Sequence, residues 1–188
     1  MMRLPAIFQR FRRAKDGLAA VEFAFILPVM ITMFFGTVEM SNALGARADV
    51  TSMASTAADL VAQQSNMTNA DMTNVMSAVN SILYPYTTNS ATIVISSVVV
   101  DSSGNYKVAW SDVWKGSAAS GSARTVGSTI TTLPAGLLTA GSGQGIIMAE
   151  ITYNYTSAST QLMKLPITMS NVFYSKPRKS LTVTRSAS

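Results

Sequence analysis

The sequence contains neither cysteine nor histidine. Zinc sites are built from these residues in nearly all cases, and nucleophilic catalysis by serine or cysteine commonly uses histidine as its base. We therefore expect no metal site, no cofactor and no catalytic residues. The absence of cysteine also excludes disulfide bonds, so an exported location has to be argued from other features of the chain.

Charged residues are scarce as well. They make up 12% of the 188 residues, whereas 48% are hydrophobic; an average soluble domain has roughly 25% charged residues. The formal net charge is +5, of which residues 1–17 carry +4, leaving +1 for the rest of the chain. The charges of this segment are Arg3, Arg10, Arg12, Arg13, Lys15 and Asp16. Because the basic charge is confined to the segment, we expect no nucleic-acid partner.

A run of 21 residues, Leu18 to Val38, carries a single charge, Glu22. A helix of this length extends about 32 Å, which is enough for a hydrocarbon core of about 30 Å. The basic segment directly before it predicts that residues 1–17 stay in the cytoplasm and that the chain after Val38 lies across the membrane. The sequence thus predicts a single-pass protein with a transmembrane helix at about residues 18–38.

Two simpler readings compete with this one. A cleavable signal peptide would use an Ala-x-Ala site at Ala46 and Ala48, but its apolar region would be shorter, about 7 to 15 residues. A plain, uncleaved signal anchor is the other reading. Neither explains Glu22, since an acid at the bilayer centre costs on the order of 2.5 to 3.5 kcal/mol. A carboxylate that extends to the lipid headgroups is a further alternative for Glu22.

Gly17 separates the basic segment from the apolar run, and Glu22 and Phe23 follow it at a fixed spacing. The arrangement resembles the prepilin cleavage site of type IV pilins, in particular the Flp and TadE-like subgroup, whose pattern is Gly, four residues, then Glu and Tyr or Phe. The stretch AVEFAFILPVM, with Pro28 six residues after Glu22, further resembles TadE/TadG-like minor pilins. Phe23 stands where the major Flp pilin has tyrosine, which favours a minor pilin.

The resemblance implies cleavage between Gly17 and Leu18 by a membrane prepilin peptidase. It also implies that Glu22 pairs with the freed α-amino group of a neighbouring subunit and fixes the axial register of the helices. Pro28 removes a backbone donor and is expected to kink the helix. The implied partners are the inner membrane, the prepilin peptidase, other pilins and the Tad secretion machinery.

Helical periodicity continues beyond Val38 and predicts that the N-terminal helix extends to residue 64. Its apolar stripe can contact another surface or, as is more common, pack on the chain's own domain; the stripe consists of Ala43, Ala46, Val50, Met53, Ala57 and Leu60. A second amphipathic helix follows, with Thr68 or Asn69 as its cap, Asp71 in the first turn and its end near Tyr84, before Pro85.

The remaining chain has the alternation and turn chemistry of β-structure. Residues 91–100 and 106–114 predict a hairpin with Tyr106, Val108 and Trp110 on one buried face, and residues 115–145 predict a long surface connection. Further strands are expected at 146–155, 171–175 and 180–184. The basic turn 176–179 resembles a signature near the C-terminus of TadE-like proteins, and a simple solvated turn is the alternative.

We therefore expect an α+β, pilin-like fold, in which a long N-terminal transmembrane helix and a second helix pack on a small antiparallel sheet. The expected divisions are a leader at 1–17, a helix at 18–64 and an extracytoplasmic domain at 65–188. The predicted function is that of a minor pilin in assembly of a Tad pilus, with a membrane-anchored binding or adhesive module as the alternative. Enzyme activity is not expected, because Asp101, Asp112 and Glu150 have no spacing typical of a catalytic pair.

Overall fold

A computed structural model of the chain describes residues 17–131, 133–134, 136–156 and 166–186. The predicted leader, apart from Gly17, lies outside the described residues. The chain divides into two compact units with the boundary between Asn42 and Ala43. The described part of the first unit, residues 17–42, is helical throughout, and the second unit contains all the strands.

Two α-helices are present among the described residues. Helix α1 is Gly17–Ala62, and helix α2 is Asn69–Ile82. The predicted long N-terminal helix and second helix are thus confirmed, although α1 ends two residues before the predicted residue 64. A short 3₁₀ turn, Thr88–Ser90, precedes the sheet.

Thr68, and not Asn69, is the N-cap of α2. Its hydroxyl oxygen accepts a hydrogen bond from the Asp71 N–H at 3.1 Å, and the Thr68 N–H donates to the Asp71 carboxylate at 3.1 Å. This reciprocal pair is a capping box, which satisfies donors that a helix start leaves without partners. The Thr68 hydroxyl also donates to the Asp71 carboxylate at 2.7 Å, and this bond, followed by that from the Thr68 N–H, lowers the pKa of Asp71.

The described strands are β1 Asn66–Met67, β2 Ala91–Val100, β3 Tyr106–Lys115, β4 Ala118–Ala119, β5 Thr129–Ile130, β6 Gly145–Tyr155, β7 Ile167–Ser175 and β8 Thr184–Arg185. The larger sheet is antiparallel throughout and has the order β4-β3-β2-β6-β7, with β5 pairing along another part of β3. A separate two-stranded parallel pair joins β1 and β8. This architecture confirms the predicted α+β class.

One face of the sheet packs against α2 and the C-terminal half of α1. The predicted stripe of α1 is buried in this core except for Leu60, which is only partly covered. The stripe therefore packs on the chain's own domain, which was the more common of the two alternatives. The strand residues in this core include Ile93, Ile95, Ile147, Ala149, Ile151, Tyr153 and Tyr155. The alternation predicted for β6 is thus confirmed.

The predicted common face of Tyr106, Val108 and Trp110 is wrong. Ser97 pairs with Trp110, whereas the next residue, Val98, pairs with Val108, so β3 carries one extra residue at this point. An extra residue of this kind is a β-bulge and reverses the alternation of side chains beyond it. Trp110 consequently lies in the core beneath the helices, while Val108 lies in a second cluster.

The connection 115–145 is more than the predicted surface segment. It contains the short strands β4 and β5, and three of its apolar side chains are buried in the second cluster: Ile130, Leu133 and Leu138. They pack with Val98, Val108 and Met148. Leu137 is partly buried against the same cluster, whereas Val126 is exposed. The buried apolar side chains of this Ser-, Thr- and Gly-rich stretch thus cover the face of the sheet that the helices leave open.

The predicted strand at 180–184 is also wrong. Strand pairing in this region is limited to β8, Thr184–Arg185, which pairs with β1. Its preceding residue Val183 is buried, and the Val183 carbonyl accepts a hydrogen bond of 2.7 Å from the Trp110 indole. Gly145 allows this segment to approach, since a Cβ at that position would lie 3.1 Å from both Thr182 and the Val98 carbonyl. Outside β8, the C-terminal segment is therefore held by single hydrogen bonds, among them that of the Gly145 N–H to the Leu181 carbonyl at 2.8 Å, and by close packing.

Candidate functional site

Within the described part of the first unit, residues 17–42, the stretch 18–38 is largely exposed and, apart from Glu22, apolar on all sides. None of its residues is buried, and its large exposed side chains include Phe25 (78% exposed), Met33 (68%) and Phe34 (64%). A helix without a polar face belongs in a nonpolar environment, because solvent contact with this much apolar surface is unfavourable. Among the described residues, α1 is the one helix long and apolar enough to cross a membrane.

The hydroxyl groups of this segment are satisfied within the helix itself. Thr32 donates to the Pro28 carbonyl at 2.8 Å, Thr37 to the Met33 carbonyl at 2.9 Å, and Ser41 to the Thr37 carbonyl at 3.0 Å. Each bond spans one helical turn and removes a hydroxyl donor from the surroundings. These side chains therefore do not prevent the segment from entering a hydrocarbon phase, in which an unpaired polar group is costly.

Gly17 is the first residue of α1 in the described chain. A Cβ built at this position meets no atom within 4 Å, and the same holds for Gly36 within the apolar segment. The fold of the described residues therefore does not require glycine at position 17. Leu18, on the other side of the predicted cleavage point, is 66% exposed.

Glu22 and Phe23 lie in the first two turns of α1, and both are exposed. Leu18 is four residues before Glu22, which places the two residues one above the other on the same side of the helix. A carboxylate on the α1 surface is thus one turn from the position where the predicted cleavage would create an α-amino group. Phe23 points from an adjacent part of the surface and is 56% exposed.

Pro28 is inside α1, and the helix continues on both sides of it. Proline has no N–H, so the carbonyl one turn earlier loses its usual partner. The Thr32 hydroxyl bonds to the carbonyl of Pro28 itself and not to that of Ala24, the carbonyl that the missing N–H leaves open. The predicted bend at Pro28 stays a prediction.

The three carboxylates considered as catalytic candidates occupy separate places in the domain. Asp101 accepts backbone hydrogen bonds from Ser103 and Asn105 in the hairpin turn, and the contacts with Asn105 are the main cause of its lowered pKa. Asp112 pairs with Arg185 at 2.9 Å, and Glu150 pairs with Arg124 at 2.5 Å. Asp101 thus stabilises the hairpin turn, Asp112 holds the C-terminal strand β8, and Glu150 holds the 115–145 connection.

The Glu150 ion pair was not foreseen from the sequence. Arg124 also donates to the Ser96 hydroxyl at 3.2 Å, and Ser96 shares a hydrogen bond of 2.9 Å with Ser111. These side chains lie on the face of the sheet opposite the helices and are partly or fully buried. The polar alternation of β6 placed Glu150 on this face, but no local pattern connects it with Arg124, 26 residues earlier.

The basic turn 176–179 contacts the C-terminal end of α1. The Arg178 backbone N–H donates to the Ala62 carbonyl at 2.8 Å, and its guanidinium forms an ion pair with Asp59. Beside this pair, a groove of about 400 Å³ runs between α1 and β7, with Leu60 and Phe173 among its lining residues. The predicted turn is therefore also a contact point between the C-terminal segment and α1.

The sequence model of the TadE-like protein family matches residues 17–59 of the chain. This range is 43 of 188 residues and contains the apolar segment, Gly17, Glu22, Phe23 and Pro28. The resemblance predicted from those residues is thereby confirmed over this range. No curated protein and no solved structure matches the chain.

Proposed function

We propose that the chain is a minor pilin, or pseudopilin, that takes part in assembly of a Tad (Flp-type) pilus. The observation that carries the proposal is the coincidence of the TadE-like match, residues 17–59, with the exposed apolar helix that begins at Gly17. Residues 18–38 of that helix have the properties expected of a pilin stem before assembly: apart from Glu22 they are apolar on all sides, and the Thr32 and Thr37 hydroxyls are bonded within the helix. The domain from Ala43 onward is separately compact.

The proposed location is the bacterial inner membrane, with the leader in the cytoplasm and the domain outside it. The support for this orientation is the charge of the leader, +4 within residues 1–17, since positive residues are retained on the cytoplasmic side. The prepilin peptidase then cleaves between Gly17 and Leu18. The mature helix stays in the membrane until the Tad machinery and other pilins receive it through its apolar surface.

Glu22 is proposed to set the register between subunits. In a hydrocarbon phase a carboxylate without a partner is costly, and pairing with the α-amino group of a neighbouring Leu18 offsets part of that cost. Apolar side chains alone leave two helices free to slide, so a single charged pair can select one axial position. The exposure of Glu22 on α1 supports this role, because the carboxylate is accessible to a second helix.

The test is the Glu22→Gln variant, expressed in cells that assemble the pilus. A neutral amide eases membrane insertion, so we expect normal amounts in the membrane but loss of co-purification with other pilins and loss of surface pili. Glu22→Asp keeps the charge and is expected to retain part of the assembly. Wild-type pilus levels in Glu22→Gln would contradict the proposal, as would equal defects in both variants.

We further propose that the domain acts by contact and not by catalysis. The support is that Asp101, Asp112 and Glu150 are each engaged in a separate structural contact and lie in three different strands or turns. Hydrolysis of a peptide or glycan by the purified full chain, abolished by Glu150→Gln, would overturn this part. The other candidate, an anchored binding module outside the pilus, requires neither cleavage nor Glu22.

A further inference from the structure

The two edges of the main sheet differ in how they are covered. At one edge, β3 is paired with the short strands β4 and β5. At the other edge, β7 pairs only with β6 within the described chain. An edge strand exposes backbone N–H and C=O groups that another strand can bond, and natural proteins usually protect such an edge.

Within the described chain, β7 has none of the sequence features that usually protect an edge strand. It has nine residues, Ile167–Ser175, with no charged residue and no proline. Three of its side chains are apolar and exposed: Ile167 (43%), Val172 (41%) and Phe173 (42%). Pro166 and Lys176-Pro177 stand immediately outside the strand, so the unprotected stretch has defined ends.

The surroundings of β7 favour one kind of occupant. The groove of about 400 Å³ lies between this strand and α1, and its apolar residues are Leu60 and Phe173. Beyond the strand, Lys176, Arg178 and Lys179 are exposed, and Asp59 is the one carboxylate paired with them among the described residues. An extended strand with apolar alternate residues would fill the groove, and an acidic residue at its end would meet the excess positive charge.

We propose that β7 binds a partner protein by strand addition, and that the added strand is antiparallel, alternately apolar, and acidic at its N-terminal end. The antiparallel direction is inferred from the sheet, in which every existing pair is antiparallel. It places the N-terminal end of the incoming strand beside residues 176–179. Main-chain bonds supply affinity, while the groove and the basic turn select the sequence. The groove is lined by the C-terminal part of α1 and contains none of residues 17–42, so the proposal does not depend on cleavage at Gly17.

The probe is a fluorescent synthetic peptide consisting of Asp-Glu followed by four Thr-Val repeats, titrated against the full chain in detergent micelles. A matched peptide carries Lys-Lys in place of Asp-Glu. We expect the acidic peptide to bind about tenfold more tightly than the basic one, since like charges are repelled. Hydrogen exchange should show new protection of β7 amides and not of β4 amides. Equal binding of both peptides, or unchanged exchange in β7, would overturn the proposal.

The variant Val172→Lys places a charge on the exposed edge, as natural sequences do to prevent strand addition. We expect it to weaken binding of the acidic peptide about tenfold or more. The control is Val126→Lys, the same change at a residue that is 66% exposed in the connection between β4 and β5, and it should leave binding unchanged. The double variant Lys176→Glu, Lys179→Glu should favour the basic peptide. Unaltered peptide binding by Val172→Lys would overturn the proposal. Dimers that form without peptide and protect the β7 amides would also overturn it, because the strand added to β7 would then come from a second copy of this chain.

Discussion

Arg178 and Asp59 form an ion pair between the C-terminal segment and the last turn of α1, across 119 positions of sequence. The Arg178 backbone N–H bonds to the Ala62 carbonyl beside it. Asp59 is also the last residue of the TadE-like match. The basic turn noted near the C-terminus therefore contacts the same helix that carries the family resemblance, at the opposite end from Gly17.

We expect this ion pair to contribute little to stability. The Arg178 side chain is 63% exposed and that of Asp59 36%, and exposed pairs typically stabilise a protein by about 0 to 1 kcal/mol. Arg178→Ala should lower the free energy of unfolding by less than about 1 kcal/mol, and high salt should remove most of the difference. Lys179→Ala is the matched control. Chemical denaturation measures both, and a salt-independent loss well above that size would contradict the estimate.

The two halves of α1 should respond differently to the same mutation. Met53 is fully buried beneath the sheet, whereas Met33 is 68% exposed in the apolar segment. Met53→Ala leaves a cavity and should destabilise the domain by about 2 to 5 kcal/mol, while Met33→Ala should leave the unfolding of the domain unchanged. Thermal melts followed by tryptophan fluorescence report on Trp110 and Trp114 in the core. Similar losses in both variants would refute this division.

Acid should weaken the domain through two turn carboxylates. Hydrogen bonds lower the pKa of Asp71 and of Asp101 below the ordinary value of 3.8. A lowered pKa in the folded state means that the stabilisation is complete above pH 3.8 and is lost as the pH falls through the lowered values. We expect a drop in melting temperature below about pH 4, and a smaller drop in the double variant Asp71→Asn, Asp101→Asn. An equal drop in both proteins would show that other groups dominate.

Local sequence patterns predicted those parts of the fold that depend on neighbouring residues. The stripe of α1, the Thr68 cap and the alternation of β6 follow from side-chain spacing, and the structure agrees with them. The bulge between Val108 and Trp110 was missed because alternation within one strand does not show how its partner is registered. The burial of Ile130 was missed because it depends on contacts with Val98 and Met148, far away in the sequence.

The candidate site was identified from the sequence because its features are consecutive. Gly17, Glu22 and Pro28 lie within one helix, and the family match covers the same stretch. The interactions that hold the domain together, such as Arg124 with Glu150, join distant segments and required the structure. The roles of Gly17 and Glu22 concern a peptidase and a neighbouring subunit, so they stay predictions.

The mass of the mature protein tests the pilin mechanism most directly. We predict that the chain purified from membranes of its host begins at Leu18, and that Gly17→Ala leaves the leader attached, whereas Gly36→Ala does not. Both glycines have open space where a Cβ would be placed, so neither substitution creates a clash among the described residues. A wild-type chain that still begins at Met1, or a Gly17→Ala chain that is cleaved normally, would contradict the account.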